Sequence, residues 1–216
     1  MTSGGLSSYW RPIWEAKAEE PSDLNYSGRA TYTQWHQMAL ITDAIIGLEL
    51  TKQDTLLDVG CASGFTGHAL ASQAKKYVGL DYNKHALSFF HSGRQVGGKL
   101  VEGLAMQLPF SDGSFDKGYM GAILLCLSKD ECLQAVRELR RVVKAGAMIT
   151  DTMFGATGPC TRNNMPGCTC FHHQTSFDKG EFIEMVLKAG WSNYRLVRMH
   201  HSLPHHEIAR DCILWA

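Results

Sequence analysis

The chain is 216 residues long, about one domain, with 44% hydrophobic and 19% charged residues, which excludes a disordered polymer. Lys plus Arg and Asp plus Glu each number 21, so the formal net charge is zero and a dedicated nucleic-acid binder, which needs a basic patch, is excluded. The longest nearly apolar run, Gly118–Leu127, falls far short of the ~20 residues of a membrane span, and no apolar leader opens the chain, so neither membrane nor secretion is expected. The cysteines are Cys61, Cys126, Cys132, Cys160, Cys168, Cys170 and Cys212. They are odd in number and follow no signal peptide, which predicts a reduced, cytoplasmic protein and not a disulfide scaffold.

In chain order, the first fifty residues carry Tyr9, Trp10, Trp14, Tyr26, Tyr32 and Trp35 and predict helices laid on a core, a cap over residues 1–48. A domain over 49–216 follows. Strands are predicted at Thr55–Val59, Lys76–Leu80 with Asp81 at its end, Lys99–Glu102, Phe115–Gly121 and Ala147–Thr150. Between them, Phe65–Ala74, Asn83–Arg94 and Lys129–Val143 read as helices, the second N-capped by Asn83 and the third apolar along Leu133, Val136, Leu139, Val142 and Val143. Asp178–Ala189 reads as a helix stopped by Gly190, and Tyr194–His200 with Ile208–Trp215 as a hairpin around Pro204. Strands alternating with helices of ~10–15 residues predict an α/β protein. The expected fold is a Rossmann-like, doubly wound, seven-stranded, mostly parallel sheet with one antiparallel strand, helices on both faces and an N-terminal helical lid.

The segment Leu56–Phe65, LLDVGCASGF, is the most informative. A buried strand reaches Asp58 and enters a tight turn with Gly60 and Gly64. Glycine suits unusual φ or close approach of a ligand to the backbone. A helix starting directly after such a turn offers unpaired N–H groups. Asp81 ends the second strand, where a carboxylate can accept two hydrogen bonds from a ribose diol.

These residues resemble the class I S-adenosylmethionine-dependent methyltransferases. LLDVGCASGF resembles their first motif, GLDYN (Gly79–Asn83) the acidic motif after the second strand, and VEGLAMQLPFSDGSFDKGYM (Val101–Met120) the stretch that passes the adenine. LRRVVKAGAMI (Leu139–Ile149) resembles the helix, turn and fifth strand. The resemblance covers Leu50 to Ala216. It implies S-adenosyl-L-methionine as cofactor, S-adenosyl-L-homocysteine as product and a small-molecule acceptor. It implies that Asp58, Gly60, Cys61, Ala62 and Gly64 surround the methionine moiety and that Asp81 holds the ribose hydroxyls. Tyr82 would pack on the adenosine, Leu104 and Ala105 lie along the adenine, and Met120 close the pocket floor. The chain departs from the family pattern at Ala62, where the turn usually has its middle glycine, and at Leu104, often Asp. It departs again at Leu125 and Cys126, where many relatives place a histidine.

A nicotinamide oxidoreductase would want G-x-G-x-x-G after the first strand, whereas the chain has Gly60-x-x-x-Gly64. A non-catalytic cofactor-binding protein of the same fold stays open. Base methylation would need an Asn/Asp-Pro-Pro-aromatic segment where the chain has Met120-Gly121-Ala122, and protein-arginine methylation a glutamate pair that Gly121–Ser128 lacks. The acceptor nucleophile, oxygen, nitrogen, carbon or sulfur, and the oligomeric state are not set by the sequence. The aromatic N-terminal stripe reads either as packing or as a lid over the methionine end.

Cys160, Cys168, Cys170, His172 and His173 share the loop after the fifth strand, and His200, His201, His205 and His206 surround the final hairpin. Both loops leave the carboxyl edge of the sheet, where open α/β proteins bind ligands. The histidines read as an exposed rim or as a source of one general base, with His172, His173, His200 and His201 the catalytic candidates. No metal is expected, because the Cys-x₇-Cys-x-Cys-x-His spacing is not a standard zinc pattern.

Overall fold

The computed structural model describes residues 6–18, 34–93, 98–154, 175–197 and 209–216. Helix α1 spans Leu6–Ala18 and α2 spans Gln34–Leu48. The core then runs β1 (Thr55–Val59), α3 (Gly67–Gln73), β2 (Lys76–Asp81), α4 (Lys84–Gly93), β3 (Gly98–Glu102) and β4 (Phe115–Gly121). It continues with α5 (Lys129–Val142), β5 (Val143–Phe154), β6 (Ser176–Phe177), α6 (Lys179–Lys188), β7 (Asn193–Val197) and β8 (Ala209–Trp215).

The sheet order is β3-β2-β1-β4-β5-β8-β7, with β6 pairing β5. β8 alone runs against its neighbours, β5 and β7. The expected seven strands are therefore present, with the two-residue β6 in addition. β4 stops at the Gly121↔Thr150 pair, and β6 pairs further along β5, at Met153 and Phe154.

Local chemistry explains the elements. α5 starts at a capping box in which the Ser128 side chain accepts from Glu131 N–H and the Glu131 carboxylate accepts from Ser128 N–H. Cys132, Ala135, Val136, Leu139 and Val142 are fully buried at helical spacing, so the apolar face is centred on Cys132 and not on half-buried Leu133. Each large aliphatic buried there contributes ~1.5–3 kcal/mol. α6 repeats the capping box with Asp178 and Glu181 and ends before Gly190, whose φ is +95°. Asn83 Oδ1 accepts from the N–H groups of His85 and Ala86 at the start of α4. β5 begins directly at the end of α5, four residues before the predicted Ala147, and the register against β4 shifts by one residue between Phe115 and Lys117.

Two buried clusters cover the two faces of the sheet. One centres on Leu57, Val59, Met120, α5 and α6, the other on Leu56, Tyr77, Phe90 and Tyr119 with α2 to α4. No helix among the described residues is long and apolar enough to cross a membrane.

Candidate active site

The chain leaves β1 toward β2 on one side and leaves β4 toward β5 on the other, so the connections part at the carboxyl edge of this strand pair. Such a switch point opens a crevice. A cavity of about 180 Å³ lies there. Its floor is Asp58, Val59 and Gly60 from the end of β1, with Leu80, Asp81 and Tyr82 from the end of β2. Tyr119, Gly121, Ala122, Ile123, Cys126 and Leu127, from β4 and the short 3₁₀ turn Leu124–Cys126, form the far wall. Gly103–Met106 flank the β2 side, and Trp10, Arg11 and Trp14 of α1 line the cavity as well.

The turn after β1 takes positive φ three times, at Gly60 (+78°), Ala62 (+50°) and Gly64 (+86°). At Ala62 the chain therefore accepts a conformation that glycine would take at lower cost. Four N–H groups of the turn are already paired within the protein. Gly60 and Cys61 N–H donate to Leu80 O, Ala62 N–H donates to the Asp81 carboxylate at 2.9 Å, and Gly64 N–H donates to Cys61 O. The helix behind it starts at Gly67, two residues later than predicted, and is only 7 residues long. The turn borders the cavity beside two carboxylates, Asp58 of β1 and Asp81 at the end of β2.

Asp81 is almost fully buried, and its oxygens accept from Ala62 N–H and Asn83 N–H, each at 2.9 Å. Burial outweighs those bonds and raises its pKa to about 6. Asp58 is 2% exposed and accepts a 2.7 Å hydrogen bond from the Tyr77 hydroxyl. Burial, then the negative charges of Asp58 and Asp81, push the Cys61 thiol well up, so it stays protonated. Burial and Asp81 likewise push the Tyr82 phenol up.

The structure brings Asp58, Gly60, Cys61, Ala62, Asp81, Tyr82, Leu104 and Ala105 to one cavity. Two predicted positions do not line it. Gly64 lies behind the turn, where an added Cβ would collide with the Phe90 ring. Met120 is fully buried in the opposite core cluster, while its neighbours Tyr119 and Gly121 line the cavity, as strand alternation requires. The candidates His172, His173, His200 and His201, with His205, His206, Cys160, Cys168 and Cys170, lie outside the described residues. Among the described residues no cluster of His, Cys, Asp or Glu could hold a metal.

Two features escaped the sequence reading, and a third gives the N-terminal aromatics their place. Cys126 lines the cavity at a position considered only for its missing base, and Leu125 O accepts from Thr175 N–H, so the residue before β6 is tied to this wall. Ile123 sits against Gly60 so closely that a Cβ there would strike it. α1 is fastened over the cavity edge: the Tyr82 hydroxyl donates to Arg11 O at 3.3 Å, the Arg11 guanidinium lies 5.4 Å from the Tyr82 ring, and Asn83 Nδ2 donates to Trp14 O. Trp10 is buried and stacks on Trp14, so these two tryptophans are packing and cavity lining at once. Their signal was the i, i+4 spacing.

Residues 57–150 match the family described as "Methyltransferase domain". The chain is 35% identical over 159 residues to a 2-phytyl-1,4-naphtoquinone methyltransferase of Synechocystis sp., covering 68% of this chain and 62% of that protein. It is 38% identical over 100 residues to a demethylmenaquinone methyltransferase of Bacillus velezensis, covering 43% of this chain and 42% of the relative. The matches thus span about four to six tenths of these relatives' length. Among solved structures, Haemonchus contortus phosphoethanolamine N-methyltransferase 1, bound to phosphoethanolamine and S-adenosylhomocysteine, superposes with a TM-score of 0.76. That superposition covers 98% of this chain and 49% of that one at 12% identity, a likeness of fold.

Proposed function

We propose that this chain, whose residues 57–150 form a class I methyltransferase domain, transfers a methyl group from S-adenosylmethionine to a small molecule. The observation that carries the reading is the buried Asp81 carboxylate at the end of β2, hydrogen-bonded to the Gly60–Gly64 turn and opening on the same cavity. The cavity suits the cofactor chemically, because it combines two buried carboxylates with apolar walls. When bound, the cofactor supplies a sulfonium-activated methyl group and leaves as S-adenosylhomocysteine.

Asp81 accepts hydrogen bonds from the ribose hydroxyls in this reading. Asp58, Gly60, Cys61 and Ala62 border the amino-acid end. The Tyr82 ring packs on the adenosine, and Leu104 and Ala105 flank the adenine. Leu104 offers no polar side chain, so the adenine amine is left to backbone groups. Trp10 and Trp14 of the 1–48 cap exclude water, and in a dry pocket alignment of methyl and acceptor contributes ~7–11 kcal/mol.

The acceptor bed is apolar: Trp10, Met106, Ile123, Cys126 and Leu127 line it. Such walls suit a ring-bearing compound, and the relatives named for naphthoquinone and menaquinone methylation support that class. If the acceptor must lose a proton, His172, His173, His200 or His201 takes it, since they follow in sequence on β5 and β7, which both end at the carboxyl edge of the sheet. We place the protein in the cytoplasm, with no nucleic-acid or membrane partner.

Calorimetry with S-adenosylhomocysteine tests the cofactor, and labelled S-adenosylmethionine offered with hydroxylated and quinol ring compounds tests the acceptor. Absence of S-adenosylhomocysteine binding would overturn the reading. Binding without label transfer to any ring compound would favour the non-catalytic protein of the same fold.

A further inference from the structure

We propose that Tyr77, a residue outside the cavity, is a positioning residue that orients the Asp58 carboxylate toward the amino-acid end of the cofactor. This rests on the cofactor reading above. β1 and β2 pair in parallel with Leu56 opposite Tyr77 and Asp58 opposite Gly79. The Tyr77 side chain therefore reaches Asp58 diagonally across the strand pair, a separation that long aromatic side chains span. Its hydroxyl donates to Asp58 Oδ2 at 2.7 Å, with both residues almost fully buried.

Packing alone would not require the hydroxyl. The ring is held by stacking on Phe90, with centroids 5.8 Å apart, and a phenylalanine would fill that volume equally well. The hydroxyl instead occupies a space cleared by two glycines on different elements. A Cβ at Gly67 of α3 would collide with the Tyr77 oxygen, and a Cβ at Gly79 would lie 3.1 Å from it and 2.8 Å from Cys61 Sγ. Burial and the adjacent Asp58 push the phenol up, so it remains a donor. A carboxylate with one oxygen held this way is restrained in its rotation. An oriented carboxylate is what the ammonium group of a bound amino-acid moiety needs.

Two ligands separate this role from structural support. S-adenosylhomocysteine carries the amino-acid end, and 5′-methylthioadenosine has the same adenosine without it. In Tyr77→Phe, affinity for S-adenosylhomocysteine is expected to fall about tenfold, the loss of a hydrogen bond to a charged group, with 5′-methylthioadenosine binding unchanged. In an Asp58→Asn background the same substitution is expected to cost nothing further, because Tyr77 acts through that charge. Calorimetry on the four proteins, each checked for a cooperative melt, gives the answer. Equal losses for both ligands, no loss for either, or a Tyr77→Phe effect that persists in the Asp58→Asn background would overturn the proposal. If the unaltered protein bound neither ligand, the cofactor reading itself would fall.

Discussion

Asp81→Asn tests the centre of the site because it removes one charge and almost no volume. The folded carboxyl has a pKa of about 6 against an unperturbed 3.8. Between those values the folded chain holds more protons than the unfolded chain, so stability contributed by this group falls as pH rises from ~4 to ~6. Each pH unit is worth ~1.36 kcal/mol, so ionised Asp81 costs about 3 kcal/mol of folding stability in the absence of a ligand. A ribose diol that donates to the carboxylate repays part of that cost and binds only the ionised form. At pH 5, one unit below the pKa, roughly a tenth of the protein is ionised, so affinity for S-adenosylhomocysteine is expected to be about tenfold weaker than at pH 7.5. In Asp81→Asn, affinity at pH 7.5 should drop about ten- to a hundredfold and its pH dependence between 5 and 7.5 should disappear. Thermal melts over pH 4–7 should show the wild-type slope flattened in the variant. Titration calorimetry at the two pH values is the assay. Affinity that is equal at both and unaffected by asparagine would refute the reasoning.

Three further outcomes are expected. Gly60→Ala combines a φ of +78° with a clash against Ile123, so it should lower the urea midpoint and cofactor binding together, with Ile123→Ala in the same chain restoring part of both. Arg141 spends all five guanidinium N–H groups, on Glu138, Asp112 and the carbonyls of Leu108 and Phe110. Arg141→Met should therefore cost ~1–3 kcal/mol in urea unfolding, and Lys at that position should recover less than half. Once an acceptor is known, alanine at the one histidine that serves as base should lower turnover by ~10²–10⁴-fold with cofactor affinity unchanged, whereas full activity in every histidine variant from pH 6 to 9, a range chosen to bracket the imidazole pKa of ~6.5, would mean alignment alone drives transfer.

The alternation of strands and helices, the glycine turn after β1 and the carboxylate ending β2 were all legible in the sequence, because each is a local signal. Hydrophobic period, chain-reversing glycine and an acidic strand end need no knowledge of neighbours. The N-terminal aromatics marked helices laid on the core in the same way, and α1 is one of them. Which face of β4 meets the cavity was not legible. Tyr119 and Met120 are both almost fully buried, since helices cover both sides of a parallel sheet, and a continuous apolar run carries no phase. Met120 therefore read as pocket floor, when Tyr119 and Gly121 take that side. That the N–H groups of Gly60, Cys61 and Ala62 pair with Leu80 O and the Asp81 carboxylate was not legible either, because those partners lie on the next strand and are set by register. The Tyr77–Asp58 bond is diagonal across two strands, and the space for its hydroxyl comes from Gly67 and Gly79. Contacts between residues far apart in sequence depend on strand pairing and side-chain direction, and only the tertiary structure decides those.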